Sequence, residues 1–310
     1  MHPAFSILFF TTLSGTAQGL VVALALASLL GVPMAPALVP NALLVAEALL
    51  LAGLAASFMH LGRKTRAWRA VLMWRTSWMS REVIVLPAFI GLVALWWLAE
   101  RTGVAAGYGA VFPVLAIAGA IVLWYCTAMI YACLRFIEEW AHPLTIANFT
   151  LIGLASGLLL ACALAALAGD AALVRATGPS ALAVTLAAWM VRVMSLRRNA
   201  GIRHKSTLQS ATGIQSPKLV QKSMGMSAGA FNTREFFHGA TQAAMQNARI
   251  GFQLLAFAVP ALLMLWGINS HVAWPWVLAA LVQAPGLIAE RWVFFAQAKH
   301  PQNLYYQVVS

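Results

Sequence analysis

The chain has 310 residues, of which 62% are apolar and 9% charged, and its mean hydropathy is +0.81. A soluble domain of this length has no interior large enough for that much apolar surface, so the composition excludes a soluble protein and points to an all-α integral membrane protein. The net charge of +12 accompanies no DNA- or RNA-binding module, which excludes nucleic acid as the partner.

A helical span needs ~20 mostly apolar residues. In chain order eight runs qualify, at roughly 6–30, 40–60, 83–100, 110–134, 147–168, 179–196, 248–269 and 272–296. The first is not read as a cleavable signal peptide. No basic n-region precedes it, it is too long for an h-region, and no A-x-A site leads into a soluble domain. The longest polar stretch, 197–247, is rich in Gly, Ser, Gln and Lys but lacks the acidity or repetition of a solvated linker. It reads as a loop ordered by itself or by a partner, with a floppy connector as the alternative.

Eight spans put both termini on one face, face A, together with the loops 61–82, 135–146 and 197–247. Face B carries the loops near 31–39, 101–109, 169–178 and 270–271. Of the 20 Lys and Arg residues, only Arg101 and Arg175 fall on face B. The positive-inside rule therefore makes face A, with both termini, cytoplasmic.

The two halves resemble each other. His2-Pro3 opens the first span and His142-Pro143 the fifth; LSGTAQGL (13–20) matches LIGLASGL (151–158) at five of eight positions. MHLGRK (59–64) aligns with MSLRRN (194–199), and SREV (80–83) with TREF (233–236). Four spans per half give the copies one orientation, a parallel repeat of two four-helix bundles. The units are 1–140 and 141–310, the second with the long cytoplasmic loop 197–247. His60 in the first copy aligns with Ser195 in the second, so a site built around His60 exists once.

Cys126, Cys133 and Cys162 lie in apolar spans, form no C-x-x-C and read as packing residues. None of the histidines 2, 60, 142, 204, 238, 271 and 300 sits mid-span. Neither a b-type haem nor an iron–sulfur cluster is therefore expected in this chain, and no metal site.

Chemistry concentrates in FMHLGRKTRAWRAVLMWRTSWMSREV (58–83). His60 stands at the entrance, where a near-neutral pKa lets it exchange a proton or hold a carbonyl oxygen. Gly62 permits close approach, Arg66 and Arg69 are fixed donors, and Trp68 is a flat apolar wall. Arg81 and Glu82 stand at the exit. A histidine, arginines, an aromatic and a carboxylate at one interface suit a quinone head group; an ordinary interfacial histidine is the plainer reading. Glu82, Glu138, Glu139, Glu235 and Glu290 cluster near face A. Either they form local ion pairs with neighbours such as Arg81, Arg234 and Arg291, or one of them trades a proton in a surface pocket. Glu47 lies inside the second span.

The segments MHPAFS (1–6), HLGRKTRAW (60–68), SWMSREV (77–83), FNTREFFHG (231–239) and AERWVFFAQAKHPQNLYY (289–306) resemble the DMSO-reductase membrane-anchor (DmsC-type) family. Within it they are most similar to the anchors of cytoplasm-facing, quinone-linked sulfite dehydrogenases. The resemblance covers essentially the whole chain. It implies eight transmembrane helices in the bacterial inner membrane and no prosthetic group. It also implies two partners on the cytoplasmic face, an iron–sulfur electron-transfer subunit and a molybdopterin catalytic subunit. A pocket for ubiquinone or menaquinone would lie beside the nearest cluster. The family pattern H-L-G-x-x-x-R-A-[aromatic] matches His60, Gly62, Arg66, Ala67 and Trp68, with Trp68 where Phe is common. The family's S-x-E carboxylate matches Glu82. His60 and Glu82 are then the candidate proton donors, and Arg66 and Trp68, with Arg69 and Arg81, hold the ring. The namesake reductases work with their partner-binding face exported. A basic, cytoplasmic face A favours the sulfite-oxidising branch. Three other readings remain: the anchor of a quinol-oxidising sulfoxide or polysulfide reductase, a structural anchor without a quinone site, and, from a different class, a secondary transporter.

Overall fold

The computed structural model describes residues 3–301 apart from 60, 204, 221–238 and 271. Among these residues the protein is helical throughout, without strands, and eight helices are long and apolar enough to cross a membrane. They are α1 (Phe5–Leu29), α2 (Leu38–Met59), α3 (Trp78–Thr102), α4 (Val111–Ala132), α5 (Pro143–Leu167), α6 (Ala171–Ala200), α7 (Gln242–Ser270) and α8 (Trp274–Ala296). The protein is thus a multi-pass membrane protein.

Three helices begin well before the apolar run that announced them. Ser77 caps α3 by accepting from the Ser80 N–H (3.4 Å). Asp170 caps α6 from Leu173 N (3.0 Å) and Thr241 caps α7 from Ala244 N (3.1 Å). Side-chain oxygens satisfy the orphan N–H groups of a first turn, so polar residues belong to helices that hydropathy alone starts late. Asp170 also accepts from Ala35 N (2.7 Å), tying the first face B loop to the start of α6.

The centre of the molecule is the crossing of α1 and α5. Their most apolar windows are 72% and 61% buried, against 28% for α2 and α6. Gly15 and Gly19 of α1 meet Gly153 and Gly157 of α5, and a Cβ on Gly19 or Gly157 would collide with the other helix's backbone. Thr16 Oγ1 donates across the seam to Ser156 Oγ (3.0 Å). Lipid tails provide no hydrophobic drive between helices, so close backbone approach and such polar ties supply the attraction. Gly157→Leu should therefore prevent assembly, read as loss of the monodisperse peak of detergent-extracted protein. Gly91→Ala, with nothing within 4 Å of the new methyl, should leave that peak unchanged. A normal peak for Gly157→Leu would contradict the close crossing.

Around this axis α1 packs on α2 and α4, and α3 on α2 and α4. In the other half α5 packs on α6 and α8, and α7 on α6 and α8. Within α7 a π-helical turn, Leu254–Ala258, precedes Pro260. Proline has no N–H for the carbonyl four residues back, that of Ala256. Gln283 Nε2 of α8 donates to that carbonyl instead (3.1 Å), as irregular backbone at membrane depth requires.

At face A the loop after α4 closes onto α8: Trp140 Nε1 donates to Phe294 O (3.1 Å). Tyr131, Trp140, Phe149, Phe294 and Phe295 pack ring on ring there. Of the long loop, the described part holds one short helix, Leu208–Thr212, closed by a Thr207/Ser210 capping box.

Candidate functional site

His60 and Glu235 lie outside the described residues. Just past α2, residues Lys64–Met73 form a 3₁₀ helix with no buried residue. Gly62, Arg66 and Arg69 are exposed, and Trp68 is 65% exposed. Leu72, Met73 and Trp74 are exposed beside them. The family-matched arginine and aromatic therefore stand on the surface of face A.

Arg81 is engaged differently from the expectation of a ligand donor. Its Nε donates to Trp74 O (2.9 Å), its Nη2 to Arg75 O (2.8 Å), and its guanidinium stacks on Trp78 (4.1 Å). It closes the turn between the 3₁₀ segment and α3, filling carbonyls that a helix end leaves unpaired. Trp78 in turn meets Tyr125 of α4 edge to face (5.3 Å).

Glu82, one turn into α3, is 7% exposed. Its Oε1 accepts from Thr127 Oγ1 of α4. The local ion pair with Arg81 is not what holds it; a hydroxyl from the next helix is. Among the described residues no hydrogen bond or ion pair joins Glu82 to Gly62, Arg66, Trp68 or Arg69. A buried carboxyl with one neutral partner, just below a basic aromatic surface, is suited to exchanging a proton.

The structure adds a cluster that sequence alone reads as helix-end charges. Arg192 of α6 is fully buried and its Nε lies 2.6 Å from Glu290 Oε1 of α8. Arg291 Nη1 lies 3.5 Å from Glu290 Oε2, and its guanidinium sits over Phe149 of α5 (3.9 Å). Glu290 is 0% and Arg291 3% exposed. So the expected pair of neighbours exists, but a partner far away in sequence makes the shorter contact. With a rise of about 1.5 Å per residue these charges lie on the order of 10 Å inside the face A helix ends. The available signal was Arg192 itself, a charge inside the apolar run WMVRVM, which marks a paired or functional group.

Glu138 and His142 are structural. Glu138 receives Arg198 Nη1 on its backbone carbonyl (2.8 Å) and the Lys205 N–H on its carboxylate (3.1 Å). His142 Nδ1 accepts from Leu144 N (3.2 Å) at the start of α5. Desolvation, and then the nearby Arg198 charge, lower the His142 pKa and favour the neutral ring that can accept this bond.

Comparison with known proteins finds likeness along the whole chain. The chain is 46% identical over 329 residues to a subunit of the sulfite dehydrogenase of Allochromatium vinosum, with 100% of both chains covered. The family model for the DMSO reductase anchor subunit (DmsC) matches residues 1–296, from before α1 to the last residue of α8. With every span inside that match, the chain belongs to the DmsC anchor family.

Proposed function

We propose that this chain is the membrane anchor of a sulfite-oxidising complex and binds a quinone at face A, beside Glu82. The observation that carries the reading is the buried Glu82 carboxyl, held by Thr127 under an exposed basic and aromatic surface. The full-length likeness to a sulfite dehydrogenase subunit supports the choice of complex.

The residues present fit a quinone ring. Glu82 offers an exchangeable proton, and the exposed Tyr125, packed edge to face with the Arg81-covered Trp78, offers an aromatic wall nearby. Ubiquinone or menaquinone supplies a two-electron acceptor that takes up two protons on reduction. Glu82 delivers one of these and His60, by its family match, the other. Thr127 holds the carboxyl's orientation and donates to its ionised form, which favours release of the proton toward the ring. Arg81 fixes the turn that carries Trp74 and Trp78. Arg66, Trp68 and Arg69 stand on the exposed segment, where a docked partner would cover them and bring them toward the ring.

That partner is an iron–sulfur subunit, with a molybdopterin subunit behind it. Sulfite and water yield sulfate, two protons and two electrons there. In this reading face A is cytoplasmic in a bacterial inner membrane, consistent with the skew of Lys and Arg. The two halves are read as parallel four-helix bundles. Support comes from the matching glycine pairs of α1 and α5 at their crossing and from the same cyclic packing order in each half.

Mild solubilisation tests the assembly: molybdenum and iron should co-elute with this chain. His60→Ala should then cut sulfite-dependent quinone reduction roughly 100-fold or more. Recovery of the chain alone would remove the anchor reading. Unchanged quinone turnover in His60→Ala would move the site elsewhere.

A further inference from the structure

A small chamber, not lined by Glu82, lies where α1, α5 and α8 meet, beside the buried charges. Its room comes from two glycines. A Cβ on Gly153 would come 2.6 Å from Trp124 Nε1 and 3.0 Å from the Gly15 carbonyl oxygen. Arg291 lines the chamber together with Thr11, Thr12, Thr16 and Ser156. The space open to the centre of a water-sized sphere is about 10 Å³, close to the least that holds one water.

The polar atoms around it are unevenly satisfied. Arg291, 3% exposed, makes no hydrogen bond from Nη1, whose contact with Glu290 Oε2 is long at 3.5 Å. Thr12 Oγ1 is buried and likewise without a partner. The other hydroxyl protons are already used. Thr11 donates to Ile7 O (2.9 Å), Thr16 to Ser156 Oγ (3.0 Å) and Ser156 to Gly153 O (3.0 Å). What these three can still offer is lone pairs. Arg291 Nη1, beyond its long contact with Glu290, has a donor to spare, and the hydroxyl oxygens are acceptors that can take one.

An occupant must therefore accept and donate, and be as small as the chamber. A halide would satisfy Arg291 and the free Thr12 proton but face the lone pairs of Thr11, Thr16 and Ser156, whose protons are used. A cation would face the guanidinium. We infer that the chamber is a binding site for one ordered water, which accepts from Arg291 Nη1 and donates to Thr12 Oγ1. Buried waters of this kind serve polar groups that the fold leaves unpaired. Here the water hydrates one end of the Arg192–Glu290–Arg291 cluster inside the bilayer.

The test is a crystal structure of the assembled complex grown from a lipidic mesophase, at a resolution that shows other buried waters, with bromide replacing chloride and data collected at the bromine edge. A peak within hydrogen-bonding distance of Arg291 and Thr12, without anomalous scattering, is expected. Gly15→Ala should abolish it, because the new methyl enters the chamber while coming no nearer than 3.8 Å to Gly153. Thr12→Val should weaken it. An empty chamber in the unmodified protein, a bromide signal at the site, or a peak that persists in Gly15→Ala would each overturn the assignment.

Discussion

Glu82→Gln should lower sulfite-dependent quinone reduction by the assembled complex roughly 100-fold or more, the usual contribution of a positioned acid or base. Sulfite oxidation with an artificial acceptor that bypasses the membrane should be unaffected. The substitution keeps the shape of the side chain, and the amide oxygen can still accept from Thr127 Oγ1, so the packing of α3 on α4 should survive. What is lost is the proton. The deficit should lie in kcat rather than KM, since the aromatic wall, Tyr125 packed against Trp78, is untouched. Thr127→Val should produce a smaller loss, because it removes the group that orients the carboxyl and not the carboxyl itself. Normal quinone turnover in Glu82→Gln would eliminate this residue as a proton donor.

Glu290→Leu should destabilise the protein by about 3–5 kcal/mol, the typical cost of breaking a buried ion pair from one side. It leaves two guanidinium groups, those of Arg192 and Arg291, without their shared carboxylate. Arg192→Met should cost less, because Glu290 keeps Arg291 at 3.5 Å. In the double variant the loss should be less than the sum of the two, since a matched apolar pair is often as stable as a buried ion pair. Thermal unfolding of the four proteins in one detergent measures this cycle. Additive effects, or equal losses in the two single variants, would contradict a cluster in which Glu290 is the shared anion.

The eight helices were legible because hydropathy at bilayer length is a strong and local signal. Their beginnings were less so at α3, α6 and α7, where polar caps draw a further turn of chain into the helix. Pro179 illustrates the point: an apolar run starting there suggests a helix boundary, yet α6 runs through it from Ala171. The glycine matches between the halves were visible as letters, but only the structure reveals that those letters face each other where α1 crosses α5. At the candidate site, the carboxylate Glu82 was legible from its motif, and its partner Thr127 was not, because a threonine in an apolar helix carries no mark of what it will meet. On charge alone Arg81 belongs with the ligand donors; its geometry assigns it to two carbonyls and a tryptophan face. The pairing of Arg192 with Glu290 depends on how α6 and α8 pack, which neither residue's neighbours reveal.

The central claim is that this chain connects sulfite oxidation to a quinone at face A. The most direct test is sulfite-dependent reduction of a short-chain quinone by the purified complex, compared with its partner subunits prepared without this chain. Reduction should require the chain and fall away with Glu82→Gln, while sulfite oxidation with an artificial acceptor persists in both preparations. Equal quinone reduction by the partners alone would contradict the account.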